Sequence, residues 1–303
     1  MIEARELCKY FGAVRALDGI NLTIENGRPT GLVGPNGAGK TTLFSVLCGF
    51  LNPTSGEVRI ASHPPLATAL HGNIAILPQD AALAPAVPVA RQLAFMAELQ
   101  GFNRAAAAKE AARVLELVNL SDSAQSTPDT LSHGMTKRAA IAQAFIGTPD
   151  LVLLDEPTAG LDPNTAAPIR ELIRTTAHER KFVISSHNLS DIEDLCADVV
   201  ILKKGKVSEH SAIDSLVGRT SALTITLERT APAAAEDLCT SIDGVDKVEI
   251  LGRDRSQIRV FFDASRETDV HVGILQTLKN ADIAFKEMSR GESLESRVRE
   301  ITR

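Results

Sequence analysis

Apolar and polar positions along the first two thirds of the chain follow patterns typical of an α/β domain. Residues 2–8 and 20–24 alternate between apolar and polar side chains, which predicts two antiparallel strands. Residues 151–154 are wholly apolar, as expected of a central parallel strand buried on both faces, and 73–77 and 181–185 predict further strands. A parallel sheet is therefore the expected centre of this part of the chain.

A helical spacing replaces the strand pattern from Val89 to Leu120. It places Leu93, Met96 and Leu99 on one face, and we expect Met96 to pack in the core rather than to contact a cofactor. Because β-rich segments stand on both sides, we interpret the helices as an insertion at about residues 80–140.

The last part of the chain has an element order of its own. Strand and helix patterns follow each other as βαββαβ with a closing helix, which predicts a small α+β ferredoxin-like domain at 218–303. Its expected boundary is the turn near Gly218, which leaves 1–217 as the first domain. Two roles stay open for the second domain: a packing appendage or dimer brace, and a regulatory or partner-binding module.

Composition narrows the classes of function. The chain has 303 residues and a net charge of -6, which argues against a nucleic-acid coat protein, since such proteins are usually basic. Its four scattered cysteines indicate neither a zinc site nor a disulfide framework, and a reducing cytosol is the simplest setting. The N-terminus lacks the apolar core of a signal peptide, and no apolar run reaches the roughly 18 residues that cross a bilayer. Any work at a membrane is therefore expected to need another, membrane-spanning chain.

A glycine-rich segment between the apolar run 30–33 and a helical pattern has the spacing of a phosphate-binding loop. Glycines let successive backbone N–H groups turn toward one anion, and the helix that starts near Lys40 adds its positive dipole end. Lys40 is expected to reach the β- and γ-phosphates of a nucleotide, and the Thr41 hydroxyl to bind Mg2+. The candidate ATP-binding residues of this loop are Gly34, Pro35, Asn36, Gly37, Ala38, Gly39, Lys40, Thr41 and Thr42.

Polar side chains stand where three of the predicted strands end. Asp155 and Glu156 follow the wholly apolar strand, where desolvating two carboxylates is costly unless a cation or hydrogen-bond donors compensate. Gln79 and His187 follow two other strands, and the carboxyl ends of strands in an α/β sheet face the ligand crevice. These four residues are therefore candidates for the chemistry of a nucleotide site.

Five motifs, in order, make residues 1 to about 215 similar to the ATP-binding subunit of an ABC transporter. They are GPNGAGKTT at 34–42, LPQ ending at Gln79, LSHGM at 131–135, LVLLDEPTAGLD at 151–162 and SSHN with His187. The resemblance implies a P-loop ATPase domain with a parallel-sheet core, an antiparallel β-subdomain and a helical subdomain. It also implies ATP and Mg2+ as cofactors.

The resemblance implies roles for the residues that match its motifs. Asp155 and Thr41 would hold Mg2+, and Glu156 would polarise the attacking water as general base. His187 would contact the γ-phosphate and help to orient Glu156. Gln79 would sense Mg2+ and the γ-phosphate at the contact with a membrane partner.

An aromatic pair, Tyr10 and Phe11, precedes Gly12 in a chain with only 4% aromatic residues. From the residues alone, two interpretations stay open: half-buried packing residues, or a ring stacked on a nucleotide base. The resemblance implies Phe11, immediately before Gly12, as the ring that stacks on adenine, with Tyr10 as the alternative.

The remaining motifs imply a site shared between two copies of the chain. In the family, the segment that matches Ser132, His133, Gly134 and Met135 binds the γ-phosphate of ATP held by the opposite subunit. Asp162 belongs to a loop that crosses the dimer interface. The usual LSGGQ is altered, because His133 replaces a glycine and Met135 replaces the glutamine. We expect a working but retuned clamp, with a weakened second site as the alternative.

Partners and location also follow from the resemblance. It implies a homodimer that powers a separate integral-membrane permease from the cytoplasmic face of the plasma (inner) membrane. The terminal SLESRVREIT resembles the tail of ATPases that work with ABC-2 type export permeases. Nucleic acid is not an expected partner. The alternative is a non-transport ABC ATPase acting on nucleic acid or ribosomes, in which two cassettes or a basic insertion are usual.

Overall fold

The computed structural model of the chain describes residues 1–25, 27–217, 222–252, 254–290 and 294–302. The chain divides into two compact units, Met1–Ser211 with Ile301–Arg303, and Ala212–Glu300. The boundary expected near Gly218 lies outside the described residues, so its position stays a prediction.

Strands and helices alternate through the first unit, and all the strands expected there are present. In addition, the structure has two strands after residue 195 that the sequence analysis did not assign. In chain order the elements are β1 (Ile2–Phe11), β2 (Val14–Ile24), β3 (Thr30–Val33), α1 (Lys40–Leu47), β4 (Ser55–Ile60), β5 (Ile74–Leu77), α2 (Val89–Leu99), α3 (Arg104–Leu117), α4 (His133–Ala142), β6 (Leu151–Asp155), α5 (Pro163–Thr176), β7 (Lys181–Ser185), α6 (Leu189–Leu195), β8 (Asp198–Lys203) and β9 (Lys206–Ala212).

A six-stranded sheet in the order β5-β6-β7-β3-β8-β9 forms the centre of the first unit. The strands from β5 to β8 pair in parallel, and β3, β6 and β7 are buried over their whole length, which confirms the predicted core. The register places Ser185 opposite both Leu32 and Asp155. Because these strands are parallel, their carboxyl ends meet at one edge of the sheet.

A three-stranded antiparallel sheet, in the order β2-β1-β4, packs against this core. Its apolar side chains share one buried cluster with α1 and the central sheet, which includes Leu7, Leu17, Leu43, Leu153 and Val183. Both β1 and β2 are longer than expected and meet at a turn containing Gly12, whose φ is 59°. The aromatic pair before Gly12 therefore lies on a strand and not in a loop.

The predicted helical insertion consists of α2, α3 and α4. The side chain of Asn103 caps α3 by accepting the Ala106 N–H at 3.0 Å. On α2, Leu93 is buried and Met96 is half-buried, whereas Leu99 is 72% exposed. The apolar face that these three residues share is therefore buried at Leu93 and exposed at Leu99, the last residue of α2, which lines an open groove.

The second unit contains α7 (Ile213–Val217), β10 (Ala222–Leu227), α8 (Ala235–Thr240), β11 (Val245–Leu251), β12 (Gln257–Phe262), α9 (Glu267–Asn280), β13 (Phe285–Arg290) and α10 (Leu294–Thr302). The strands pair antiparallel in the order β11-β12-β10-β13. Val270, Ile274 and Leu278 of α9 share a buried cluster with Ile225 and Val260 of the sheet. From β10 to β13 the elements follow the expected βαββαβ order, with α10 as the closing helix. None of the helices in the described part of the chain is both long enough and apolar enough to span a membrane.

Candidate active site

The phosphate-binding loop joins the end of β3 to the start of α1. Gly34 and Gly39 have no room for a side chain, because a Cβ atom would lie 2.3 Å from the Leu202 carbonyl oxygen and 2.5 Å from the Ala16 carbonyl oxygen, respectively. Gly39 also has a φ of 106°, which L side chains rarely adopt. The loop therefore packs tightly at the N-terminus of a helix, where backbone N–H groups lack helical partners and can bind an anion.

Lys40, the first residue of α1, folds back over the loop. Its ammonium donates to the carbonyl oxygens of Gly34 at 2.7 Å and Pro35 at 3.4 Å. Burial lowers the pKa of Lys40, and the nearby carboxylates of Glu156 and Asp155 oppose that shift. The lysine thus stands between the loop and the carboxylates, where its charge can neutralise a bound phosphate.

An open cleft of 790 Å³ is lined by most of the residues predicted to act within one subunit, although Gly34 and Pro35 are not in its lining. Its volume lies in the usual range of about 300–1,000 Å³ for ligand sites. The predicted residues in its lining are Phe11, Asn36, Gly37, Ala38, Gly39, Lys40, Thr41, Thr42, Gln79, Asp155, Glu156 and His187. The strand ends that the sequence analysis singled out therefore meet at one place.

Asp155 and Glu156 follow one another at the end of β6 and are only 4% and 7% exposed. The Ser185 hydroxyl, at the end of β7, donates to Asp155 Oδ1, and its oxygen accepts the Glu156 N–H at 3.1 Å. Burial raises the pKa of Asp155; the charge of Glu156 adds to the rise, and Ser185, Lys40 and Thr41 counteract it. A buried carboxylate of this kind is stabilised by a cation bound beside it.

Glu156 has an uncommon backbone conformation for a residue with a side chain. Its φ is 52°, and its N–H donates to both the carbonyl and the hydroxyl oxygen of Ser185 at 3.1 Å. Its Oε2 lies 2.7 Å from Nδ1 of His187. The His187 ring therefore contacts the Glu156 carboxylate, while Ser185 holds the backbone of the same residue. The role of His187 in orienting Glu156 stays a prediction.

Oxygen ligands suited to Mg2+ converge beside the carboxylates. Thr41, Gln79 and Asp155 line both the cleft and an adjoining groove of 690 Å³. Hydroxyl, amide and carboxylate oxygens are donors that Mg2+ accepts, and it commonly completes its coordination with phosphates and water. Within the described ranges, no group of three or more His, Cys, Asp or Glu side chains could hold a metal alone. The mixed set therefore fits an ion shared with a nucleotide.

Phe11 and Tyr10 have different surroundings. Phe11 is 48% exposed and lines the cleft, with the Lys9 ammonium 5.3 Å from the centre of its ring. The Tyr10 hydroxyl donates to Asp18 at 3.2 Å, and the Arg15 guanidinium lies 5.4 Å from the centre of the Tyr10 ring. The geometry favours Phe11 as the ring that a base in the cleft can reach.

The signature segment lies at the start of α4 and does not line the cleft. Ser132 caps the helix by accepting the Met135 N–H at 3.3 Å, and both Ser132 and His133 are exposed. Gly134 is buried against α5, where a Cβ atom would lie 2.0 Å from Cγ2 of Thr165. The glycine is therefore required for helix packing, while the helix start stays open at the surface.

Asp162 caps α5, the helix against which the signature segment packs. Its carboxylate accepts the N–H groups of Asn164 at 3.0 Å and Thr165 at 3.2 Å, and the Thr165 hydroxyl at 2.5 Å. Hydrogen bonds from Thr165 are the main reason that the pKa of Asp162 lies below its usual range. Since Thr165 also packs against Gly134, one residue connects the loop containing Asp162 to the signature helix.

Two supporting groups, Ser185 and Asp191, were not among the predicted site residues. Ser185 bridges the two carboxylates, and its place at the carboxyl end of a buried strand was the available signal. Asp191 on α6 accepts the Thr158 hydroxyl at 2.5 Å and the Arg170 guanidinium at 2.7 Å. It thereby connects the helix that follows His187 to the segment that follows the carboxylates, a contact for which the local sequence carries no pattern.

Known proteins resemble this chain over most of its length. The family model described as ABC transporter matches residues 17–159. The linearmycin resistance ATP-binding protein LnrL of Bacillus subtilis is 29% identical over 279 residues, covering 91% of this chain and 89% of that protein. The Nod factor export ATP-binding protein I of Burkholderia lata is 32% identical over 224 residues, covering 72% of this chain and 74% of that protein. The structure of cbiO1 from Clostridium perfringens, described as part of the ABC transporter complex cbiONQ, has a TM-score of 0.63 at 27% identity, covering 71% of this chain and 89% of that chain.

Proposed function

Because this chain belongs to the ATP-binding proteins of ABC transporters, we propose that it powers an ABC-2 type exporter from the cytoplasmic face of the plasma (inner) membrane. As a member of this family it binds ATP with Mg2+, hydrolyses ATP, dimerises and works with a membrane permease. The export direction, the ABC-2 class of the permease, the membrane face and the roles of individual residues are proposed.

The observation that carries the residue roles is the convergence of the phosphate loop and the strand-end side chains in one cleft. Lys40 and the N–H groups at the start of α1 bind the phosphates of ATP. Thr41 and Asp155, with Gln79 beside them, would hold Mg2+, which would supply positive charge to neutralise the phosphate oxygens. Phe11, at the rim of the cleft, stacks on the adenine.

Glu156 is the general base for hydrolysis. Its carboxylate accepts a proton from the water that attacks the γ-phosphate, a role that demands a fixed position within hydrogen-bond reach. The Ser185 contacts with its N–H and the 2.7 Å contact with His187 supply that position. His187, on the exposed side of the contact, orients Glu156 and reaches the γ-phosphate.

The site becomes complete only when two copies meet head to tail. Ser132 and Gly134 lie at a helix start that does not line the cleft of their own subunit. Free N–H groups at such a helix start favour a bound anion, so the segment binds the γ-phosphate of the ATP held by the partner. Asp162, joined to this helix through Thr165, belongs to the same interface.

The altered signature of this chain is expected to clamp ATP competently. Changing His133 to Gly and Met135 to Gln together should change ATP turnover by less than about 10-fold, because the Ser132 cap and Gly134 packing do not depend on either side chain. Phosphate release by the wild-type and double-variant dimers measures the effect. A much larger gain in turnover would show that the native signature forms a weakened site.

Two relatives and the C-terminal segment of the chain support the proposal of export. The Burkholderia relative is described as an export ATP-binding protein, and the linearmycin resistance relative aligns over 91% of this chain. The terminal SLESRVREIT resembles the tail of ABC-2 type ATPases. Among the exposed apolar side chains of the first unit, four are proposed as a contact surface for the permease: Phe50, Leu66, Phe95 and Leu99. Phe50 shares its groove with Gln79, which connects that surface to the nucleotide cleft.

Co-expression of this chain with a membrane protein encoded by a neighbouring gene tests the proposal. The tagged chain should co-purify with that protein from detergent-solubilised membranes, and Phe95→Asp with Leu99→Asp should abolish the association while leaving ATP-dependent dimerisation intact. Leu275→Asp, at an exposed apolar position of α9 in the second unit, is the matched control and should still associate. A wild-type chain that stays free of the membrane protein and whose ATPase is stimulated by RNA would instead support a non-transport ABC ATPase.

A further inference from the structure

Lys137 lies one turn after the start of α4. Its ammonium donates to the carbonyl oxygen of Gln79 at 3.4 Å, and the side chain is half-buried. Burial lowers the pKa of Lys137, and the charges of Glu156 and Asp155 oppose that shift. Lys137 thus lies outside all five motifs, and its ammonium contacts the backbone of a residue that lines the cleft.

The position of Lys137 connects two parts of the first unit. Its helix belongs to the helical insertion and begins at the Ser132 cap, whereas Gln79 follows β5 at the edge of the central sheet. The side chain therefore joins the helix that serves the partner's ATP to the backbone of a residue that lines its own cleft.

We propose that Lys137 is a positioning residue for hydrolysis in its own subunit: its ammonium holds the Gln79 backbone against α4. The proposal rests on the roles given above to Gln79, Asp155 and Glu156. It assigns Lys137 no contact with the phosphate bound by the partner. The proposed role depends on the positive charge and the length of the Lys137 side chain, and not on its volume.

A pair of substitutions separates charge from packing. Lys137→Met keeps the length of the apolar stem and removes the ammonium, whereas Lys137→Arg keeps a positive donor. Lys109→Met is the matched control, because Lys109 is an exposed lysine on α3 of the same helical insertion. All three variants are made in the full chain and are compared with wild type by steady-state ATP hydrolysis.

Lys137→Met is expected to lower kcat about 10-fold, the size of one lost hydrogen bond to a charged donor, with the KM for ATP changed less than about 3-fold. Lys137→Arg should restore kcat to within about 3-fold of wild type, and Lys109→Met should match wild type. A Met variant with wild-type kcat, or an Arg variant as slow as the Met variant, would overturn the proposal.

A second measurement tests whether Lys137 acts in its own subunit. Glu156→Gln and the double variant Glu156→Gln with Lys137→Met should dimerise at the same ATP concentration, measured by size-exclusion chromatography. Loss of dimerisation in the double variant would place Lys137 at the partner's phosphate and contradict the proposal. Failure of the roles given to the carboxylates is recognised separately, because Glu156→Gln alone would then hydrolyse ATP at the wild-type rate.

Discussion

Replacement of Glu156 with Gln is expected to lower ATP turnover by about 10²–10⁴-fold, the usual contribution of a positioned general base. Glutamine has nearly the same size as glutamate and can keep a contact with His187, but its amide cannot accept the proton of the attacking water. The backbone N–H of residue 156 keeps its bonds to Ser185, so the strained turn at φ 52° is preserved. Binding of ATP by the phosphate loop should therefore be retained.

The Glu156→Gln substitution is also expected to change the assembly of the protein. Because the proposed dimer closes around ATP and opens after hydrolysis, the Glu156→Gln variant should accumulate as an ATP-bound dimer. Size-exclusion chromatography with ATP and with ADP measures this, and released phosphate measures turnover. Glu98→Gln, an exposed glutamate of α2, is the control and should behave as wild type. Turnover by Glu156→Gln at the wild-type rate would remove Glu156 from the role of base.

The parts of the site that could be predicted from sequence are those set by local spacing. The phosphate loop needs glycines where the backbone approaches Leu202 and Ala16, and that requirement is visible as a motif. Desolvating two carboxylates at the end of a buried strand costs free energy, so the sequence alone indicates Asp155 and Glu156 as site residues. The parallel core followed from strands that are apolar along their whole length.

Features that depend on tertiary contacts could not be predicted. The sequence positions of Tyr10 and Phe11 alone do not show which ring faces the cleft. That depends on tertiary contacts, because Asp18 and Arg15 contact the Tyr10 side chain. Ser185 meets Asp155 only because β7 pairs with β6 in that register. Leu99 fits the helical pattern of α2, yet its exposure depends on where neighbouring elements end. The hydrophobic pattern of a helix predicts which of its faces is apolar, but not which neighbouring elements cover that face.

The buried polar contacts of Asp191 on α6 are also tertiary contacts, and they bear on the stability of the site. Asp191 accepts from Thr158, which lies between Glu156 and Asp162, and from Arg170 on α5. Its helix begins just after His187. One buried carboxylate therefore connects the segments that carry the proposed base, the proposed orienting histidine and the proposed interface loop.

Asp191→Ala is expected to lower the free energy of unfolding by about 3 kcal/mol. Asp191 is 3% exposed, and its removal takes the acceptor from the Thr158 hydroxyl and the ion-pair partner from the Arg170 guanidinium, which keeps its bond to the Pro163 carbonyl oxygen. Removing one member of a buried pair in this way is costly. Asp194→Ala on the same helix is the matched control. Its partner Arg174 and Asp194 itself are 49% and 47% exposed, so the loss should be below about 1 kcal/mol. Urea unfolding followed by circular dichroism measures both variants, and equal losses would show that the Asp191 contacts contribute no more than a surface ion pair.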